Sequence, residues 1–239
     1  MKYLIIGGSR GLGLAIAMAL SVTNDIIIYD INEPLMALDN TIYKKIDLAN
    51  DDISIMKNDI KEADGLIYTA GIGRIDYFNN YSFKDIDFTI TINLISVIKV
   101  LTLASDKLLS KRRFDCLCIS SIAGLVSSPL FSVYSASKAG VCKYIEAINT
   151  EIEKLGFENR VTNVVATSFK GTSFNGGETN VKELDSLSKY LIDSMKNRRE
   201  ICKVNEELID SIVERYNNDA KNFSKDSYDY KINSGRLRK

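Results

Sequence analysis

Short runs of β-branched and aromatic residues alternate along this chain with longer segments whose apolar residues recur every three or four positions. Candidate strands cover 3–6, 25–29, 42–46, 64–69, 114–120 and 160–166, and candidate helices lie near 12–20, 51–61, 86–110 and 134–155. Because a helix between two strands returns the chain to the same end of a sheet, such strands pair in parallel. The alternation therefore predicts a three-layer α/β domain, with a doubly wound parallel sheet between helices.

The length of 239 residues suits one such domain, since 45% of the residues are hydrophobic and can form its core. The sequence has two prolines and no low-complexity segment, so no linker between domains is expected. Further helical patterns lie near 182–196 and 204–217. We place the domain at 1–217, and we expect 218–239, which is rich in Asn, Lys, Asp and Ser, to be a frayed polar tail.

Charge and hydropathy exclude several classes of protein. Lys and Arg total 31, as do Asp and Glu, so net charge provides no surface for nucleic acid or anionic membranes. No segment approaches 18 consecutive apolar residues, and the N-terminus lacks the long apolar segment of a signal peptide. We expect a cytoplasmic protein that binds neither nucleic acid nor a membrane.

The sequence contains no histidine and four cysteines. Without histidine, the Ser-His-Asp and Cys-His mechanisms are excluded, so any proton transfer needs another base. Cys116 and Cys118 would lie on the same face of a strand, so the two thiols could form part of one site. Buried reduced thiols are the simpler interpretation, and no metal site is predicted.

A glycine-rich turn follows the first strand and precedes a helical segment. It consists of Gly7, Gly8, Ser9, Arg10, Gly11, Leu12 and Gly13. Glycines let a backbone approach a pyrophosphate closely, and the free N–H groups of a helix N-terminus point at it. The turn therefore predicts a phosphate cradle, although a plain structural turn would have the same residues.

Asp30 ends the second strand, roughly 20 residues beyond the glycines. A carboxylate there is placed to accept hydrogen bonds from the ribose of an adenosine and to repel a 2′-phosphate, which favours NAD over NADP. Arg10 argues the other way, because its guanidinium could bind that phosphate. We give Asp30 the greater weight; its alternative role is to cap the following segment.

Tyr134 and Lys138 lie four residues apart on a predicted helix, so their side chains share one face. Of the 12 tyrosines, only Tyr134 is followed by a lysine at this distance. An exposed helical pair would explain this spacing by itself. The glycine turn and Asp30 favour a functional pair.

With Ser121 thirteen residues before Tyr134, the chain resembles the short-chain dehydrogenase/reductase family of the compact single-domain type, which has a Rossmann-like fold. The resemblance covers residues 1 to about 172. It rests on the glycine turn, Asp30, Asp47, Thr69-Ala70-Gly71, Asn93, Ser121, Tyr134 and Lys138, in the family's order. Thr69 is a departure, since the family usually has asparagine there.

The resemblance implies an oxidoreductase that transfers a hydride between NAD(H) and a carbonyl or secondary alcohol. Tyr134 would be its acid and base, and Lys138 together with the nicotinamide would lower a phenol pKa that is ordinarily about 10. Ser121 would bind the substrate oxygen, and Asn93 would hold a water that connects Lys138 to solvent. The neighbouring Ser120 should face the other side of the sheet.

The resemblance also assigns the contacts of the cofactor, with NAD preferred and NADP use left open. These residues are Gly7, Ser9, Arg10, Gly11, Leu12, Gly13, Asp30, Asp47, Leu48, Thr69, Ala70, Gly71, Tyr134, Lys138, Thr167 and Thr172. Where the family usually has Pro-Gly, this chain has Thr167-Ser168. The backbone of that loop is therefore expected to differ from the family's.

Helices 86–110 and 134–155 are the two that the family commonly pairs across a two-fold axis. The first is apolar over much of its surface and the second carries several small residues, so we expect a homodimer. The alternative is that 86–110 is simply a buried central helix. A tetramer is not assumed, because the C-terminal part lacks the glycine-ending last strand that supports tetramers in the family.

The substrate is a small molecule of unassigned identity. The pocket wall and a lid near 169–200 are expected to contribute mainly apolar residues: Ile122, Leu125, Val126, Phe131, Phe169 and Phe174. A sugar-like ketone, an acyl-carrier ketone and a small carbonyl compound all stay open. The alternative functions are a non-catalytic NAD-binding regulatory or scaffold protein and, less favoured, a sugar-nucleotide epimerase or dehydratase.

Overall fold

The computed structural model describes residues 1–172, 174, 177–235 and 237. A seven-stranded sheet has the order β3-β2-β1-β4-β5-β6-β7, and every neighbouring pair is parallel. The strands are β1 Lys2–Ile6, β2 Asp25–Asp30, β3 Thr41–Lys45, β4 Gly65–Tyr68, β5 Asp115–Ile119, β6 Val161–Val165 and β7 Ile201–Lys203. The predicted doubly wound α/β fold is confirmed.

Helices cover both faces of the sheet. They are α1 Gly11–Ser21, α2 Lys57–Glu62, α3 Phe83–Ile90, α4 Ser96–Leu103, α5 Ser105–Leu108, α6 Ser132–Lys154, α7 Val181–Lys196, α8 Glu206–Asn218 and α9 Ala220–Asn233. The strand order reverses between β1 and β4. At such a switch point the loops beyond the carboxyl ends of the strands diverge and leave a crevice for a ligand.

Alternate residues of the central strands face two separate cores. In β1, Leu4 and Ile6 belong to the core that also contains residues of α2, α4 and α6. Tyr3 and Ile5 belong to the core on the opposite face, beneath α1 and α7. Because a parallel strand is buried on both faces, β1 is a continuous apolar run rather than an alternating one.

The segment Phe83–Leu103 is a continuous helix in which α3 and α4 are joined by a π-helical turn at Thr91–Ile95. By length and composition alone it could cross a membrane, a test that core helices of soluble proteins also meet. Here Val97 and Leu101 pack into the core, and the Tyr68 hydroxyl donates to the Ile92 carbonyl at 2.9 Å. The helix therefore covers one face of the sheet.

Strand β7 is not among the strands predicted from the sequence, and it does not end in glycine. Its three residues pair with β6, with Cys202 opposite Val164. Within β7 only Cys202 is buried, so no periodic apolar pattern marks the strand. The strand forms because the edge of β6 offers unpaired backbone groups.

The polar tail expected from residue 218 is also corrected, since 220–233 form helix α9. Its first turn is capped by Asp219, whose carboxylate accepts from the Asn222 N–H at 3.0 Å. An ion pair between Arg215 and Asp226 and an edge-on contact between Tyr216 and Phe223 join α9 to α8. These tertiary contacts hold a helix whose polar composition suggested disorder; the last residues, 236, 238 and 239, lie outside the described part of the chain.

Candidate active site

The glycine turn is fixed by close backbone approaches. Gly7 has a φ of +84°, and a Cβ added there would lie 2.5 Å from the Ala70 nitrogen. A Cβ on Gly13 would lie 2.1 Å from the Gly7 carbonyl oxygen. The Thr69 hydroxyl lies 2.9 Å from that same oxygen and so can donate to it. The threonine that replaces the family's asparagine therefore ties the end of β4 to the turn.

The N-terminus of α1 opens into this turn without a side-chain cap. Arg10 is its N-cap residue, and no acidic side chain lies in the first turn. The Gly11 N–H donates to the Thr179 hydroxyl at 3.1 Å, so one of the free N–H groups at the helix N-terminus already has an oxygen acceptor. Uncapped N–H groups and the helix dipole together attract an anion such as a phosphate.

Asp30 is held at the end of β2 by two backbone donors. Its carboxylate accepts from the Ser9 N–H at 3.0 Å and from the Asn32 N–H at 3.2 Å. The Ser9 side chain is fully buried, and its hydroxyl donates to the Asn32 carbonyl at 2.5 Å. Ser9, one of the cofactor contacts that the family resemblance implies, therefore does not line the cavity. It anchors Asp30, which does line it.

Asp47 and Leu48 follow β3 and form the same edge of the cavity. Hydrogen bonds from the Asn50 side chain and the Ala49 N–H lower the pKa of Asp47 below its ordinary value. Asp47 is therefore a carboxylate at neutral pH, with part of its accepting capacity used within its own loop.

A cavity of about 770 Å³ extends from this edge to the end of β5 and the start of α6. The cofactor contacts predicted from the sequence line it, apart from Ser9. At its other end it is lined by Ser121, Tyr134 and Lys138. The crevice at the switch point thus joins the glycine turn to the Tyr-Lys pair in one continuous space.

Tyr134 is 6% exposed, and its hydroxyl interacts with the side chain of Ser121. Burial raises the pKa of Tyr134 to about 12, and the interaction with Ser121 offsets only part of this effect. The family resemblance implies a lowered pKa for Tyr134 when Lys138 and the nicotinamide act together. In the protein alone, desolvation of the phenolate prevails over any effect of Lys138, whose nitrogen lies 5.8 Å from the Tyr134 ring centre.

Lys138 is 3% exposed, and its ammonium donates to the Ile119 carbonyl at 2.9 Å. Burial lowers the pKa of this lysine. A Cβ on Gly71 would lie 3.5 Å from the Lys138 nitrogen and 3.4 Å from Asn93 Oδ1. These are ordinary contact distances, so Gly71 lies directly beside both polar groups.

Asn93 is fully buried on the π-helical turn Thr91–Ile95. Its Oδ1 accepts from the Ile72 N–H at 2.9 Å, while its Nδ2 donates to the Ile72 carbonyl at 2.8 Å and the Ser137 hydroxyl at 3.1 Å. Asn93 thereby joins α6 to the loop after β4. Single π turns often mark functional positions, and the sequence analysis gave no sign of this one.

Ser120 and Ser121 differ as the alternation of a strand predicts. The Ser120 hydroxyl is buried and donates to the Val164 carbonyl at 3.0 Å. The Ser121 hydroxyl accepts from the Ala123 N–H at 3.1 Å and interacts with Tyr134. Of the two, Ser121 is the serine that contacts Tyr134.

Aromatic rings surround Tyr134. Phe131 stacks on it with ring centres 4.1 Å apart, and Phe174 lies 5.5 Å from it. Of the six pocket residues expected from the sequence, five line the cavity and Leu125 does not. Thr172 also lines the cavity, close to Gly11. The expected lid near 169–200 includes residues 173, 175 and 176, which lie outside the described residues.

The model of a known family, short chain dehydrogenase, matches residues 2–182. The chain belongs to the short chain dehydrogenase family. A similar family member is the 3-oxoacyl-(acyl-carrier-protein) reductase FabG of Rickettsia typhi. It is 32% identical over 174 residues, which cover 70% of this chain and 71% of the relative.

Two solved short chain dehydrogenase structures agree with the fold. One, from Burkholderia cenocepacia in complex with NADP, has a TM-score of 0.76 at 16% identity and covers 95% of this chain and 96% of that chain. The other, a 3-oxoacyl-(acyl-carrier protein) reductase from Brucella melitensis in complex with NAD, has a TM-score of 0.67 at 18% identity and covers 84% and 94%.

The family match ends before α8 and α9, yet these helices line the cavity. They contribute Ile212, Arg215, Phe223, Asp226, Ser227, Tyr230 and Lys231, and Ser234 follows α9 directly. The sequence does not predict this wall, because the motifs of a short chain dehydrogenase end earlier and the segment has a polar composition.

Proposed function

We propose that this short chain dehydrogenase transfers a hydride between NAD(H) and a carbonyl or secondary alcohol, with Tyr134 as acid and base. The observation that carries the proposal is the continuous cavity that joins the glycine turn to Ser121, Tyr134 and Lys138. Family membership supports the oxidoreductase class, and the residue roles are our proposal.

The cavity fits a nicotinamide dinucleotide. The uncapped N-terminus of α1, beside glycines that leave no room for a Cβ, suits the pyrophosphate. Asp30 and Asp47 would accept from the adenosine end, and Lys138 would donate to the nicotinamide ribose. When bound, the cofactor would supply or accept the hydride. Short chain dehydrogenases of known structure hold NADP or NAD, and Asp30 favours NAD here.

Proton transfer is the protein's own contribution. With a pKa of about 12, the Tyr134 phenol is protonated at neutral pH and can donate to a carbonyl oxygen. Ser121, whose side chain interacts with Tyr134, would hold that oxygen at the phenol. The buried Lys138 ammonium would stabilise the phenolate that forms, and Asn93 would keep the adjoining loop in place.

Tyr134→Phe tests this assignment, because it keeps the ring and removes the proton. Turnover of ketones or alcohols, followed by absorbance of the reduced nicotinamide, should fall by at least ~10²-fold. NADH binding should change little. Tyr144→Phe, on the same helix but outside the cavity, is the matched control and should keep turnover. Near-normal turnover by Tyr134→Phe would refute the assignment.

A further inference from the structure

Lys231 lies in the last turn of α9 and lines the cavity that holds Tyr134. It is only partly exposed, and its ammonium donates to the Ser227 hydroxyl one turn earlier, at 2.9 Å. Lys231 lies outside the part of the chain that the family model matches. The family match therefore does not explain why a lysine lies in the wall of this cavity.

The ammonium of Lys231 has no carboxylate partner within 4 Å among the residues that the structure describes. Asp226, the acid of α9 in the same wall, is paired with Arg215. Burial without a compensating charge lowers the pKa of Lys231 to about 8. A bound anion would remove this penalty, because an opposite charge favours the ammonium form.

Lys231 belongs to the substrate end of the cavity. Helix α9 is fixed there by a hydrogen bond of 2.7 Å between the Ser224 and Ser127 hydroxyls, and its Tyr228 interacts with Tyr77. Ser127 follows β5 and Tyr77 follows β4. The adenosine edge follows β2 and β3, on the far side of β1, so a 2′-phosphate of the cofactor would lie away from Lys231.

Aromatic side chains line the cavity both around Tyr134 and on α9. Phe131 and Phe174 surround Tyr134, and Phe223 of α9 also lines the cavity. Apolar walls align the carbon skeleton of a ligand, while a few polar groups select its orientation. A ligand with a carbonyl at Tyr134 and an anionic group at Lys231 would match this arrangement.

We propose that Lys231 binds an anionic group of the substrate, so that the preferred substrates are oxo or hydroxy compounds with a carboxylate or phosphate away from the reacting carbon. The inference rests on the proposed function, which supplies the reacting carbonyl. Lys231 is thus a specificity-determining residue contributed by the C-terminal helices.

The competing explanation is structural. A lysine in the last turn of a helix interacts favourably with the helix dipole, and it would then contribute only to stability. The two explanations differ in their consequences. Substrate binding requires that loss of Lys231 change the preference between charged and neutral substrates, which a stability effect alone does not do.

The experiment compares Lys231→Met and Lys231→Arg with the parent and with Lys225→Met, an exposed lysine of the same helix outside the cavity. The first probe pair is 4-oxopentanoate and its methyl ester. The second is dihydroxyacetone phosphate and dihydroxyacetone. Binding of succinate to the NADH complex, read by nicotinamide fluorescence, is measured in parallel and does not depend on turnover.

The parent should prefer the anionic member of at least one pair, and the pairs distinguish carboxylate from phosphate. In Lys231→Met the preference should fall by about 10- to 100-fold, mainly through KM, which is the range for a charge-assisted hydrogen bond. Lys231→Arg should keep most of the preference, and Lys225→Met should keep all of it.

An unchanged preference in a folded Lys231→Met protein would overturn the inference, as would a loss of thermal stability with no change in preference. A parent that neither prefers an anion nor binds succinate would also overturn it. If no ketone is turned over but succinate binding depends on Lys231, the proposed function fails and the anion site stands.

Discussion

Asp30→Asn separates the charge of Asp30 from its role as a hydrogen-bond acceptor. The carboxylate has two tasks: it accepts from the Ser9 and Asn32 N–H groups, and it faces the cavity at the adenosine edge. Asparagine keeps one accepting oxygen and removes the charge. Alanine would remove both the charge and the hydrogen-bond acceptor, so an effect on local folding could not be separated from an effect on cofactor preference.

The stability effect follows from the two backbone bonds. Asparagine can satisfy one of the two donors, so one charge-assisted bond is lost, at a cost of about 1.5–3 kcal/mol. For a domain of this size the melting temperature should fall by roughly 3–12 °C. The burial of Ser9 and its bond to the Asn32 carbonyl should keep the turn folded.

The binding effect follows from the charge. We predict that the parent binds NADH at least ~10-fold more tightly than NADPH, because a 2′-phosphate beside Asp30 costs roughly 1–3 kcal/mol. Asp30→Asn should therefore raise the relative affinity for NADPH by about 5- to 150-fold. Arg10 is exposed at the same edge of the cavity, and Arg10→Ala in the parent should weaken NADPH more than NADH.

The assay is a pair of titrations with NADH and NADPH, followed by nicotinamide fluorescence, for the parent and each variant. Asp25→Asn is the matched control, since Asp25 is exposed at the opposite end of the same strand. Equal or tighter binding of NADPH by the parent, or an unchanged ratio in Asp30→Asn, would show that Asp30 does not set the preference.

Two further predictions concern ionisation and assembly. Because burial raises the pKa of Tyr134 to about 12, the cofactor-free protein should show no Tyr134 phenolate between pH 7 and about 10. The assay is the difference in tyrosinate absorbance between the parent and Tyr134→Phe. A phenolate that titrates near neutrality would contradict the burial argument. The protein should be a homodimer by light scattering at micromolar concentration, because Phe83 is 87% and Ile95 38% exposed on helix Phe83–Leu103. Ile95→Glu should weaken the dimer without unfolding the chain, whereas Val97, at 1% exposure, is unsuitable for a charge; a monomeric mass for the parent would refute the prediction.

The small residues of α6 illustrate how a sequence pattern can have more than one cause. Gly140 is one of the small residues of 134–155 that, in the sequence alone, suggest close packing between subunits. In the structure, a Cβ on Gly140 would lie 2.8 Å from a methyl group of Leu94 in the same chain. This position is small because α6 crosses the helix Phe83–Leu103 there. The dimer prediction therefore rests on the exposed apolar side chains instead.

Local patterns were sufficient to predict the fold and much of the candidate site. The parallel sheet follows from strands that alternate with helices, and the glycine turn and the Tyr-Lys pair are defined by spacing along a few consecutive residues. Asp30 follows from its place at the end of β2. Each of these features depends on backbone geometry over one or two elements, which a sequence records directly.

The tertiary structure alone decided the features that depend on burial and on contacts between distant segments. Tyr134 has a raised pKa because the surrounding side chains exclude water, which no spacing reveals. Ser9 is an anchor for Asp30 because the loop after β2 returns to the glycine turn. Lys231 enters the cavity only because α9, an inconspicuous polar helix, is fixed to the loops after β4 and β5. Desolvation and long-range packing are properties of the assembled fold, and they place this charge where a substrate would lie.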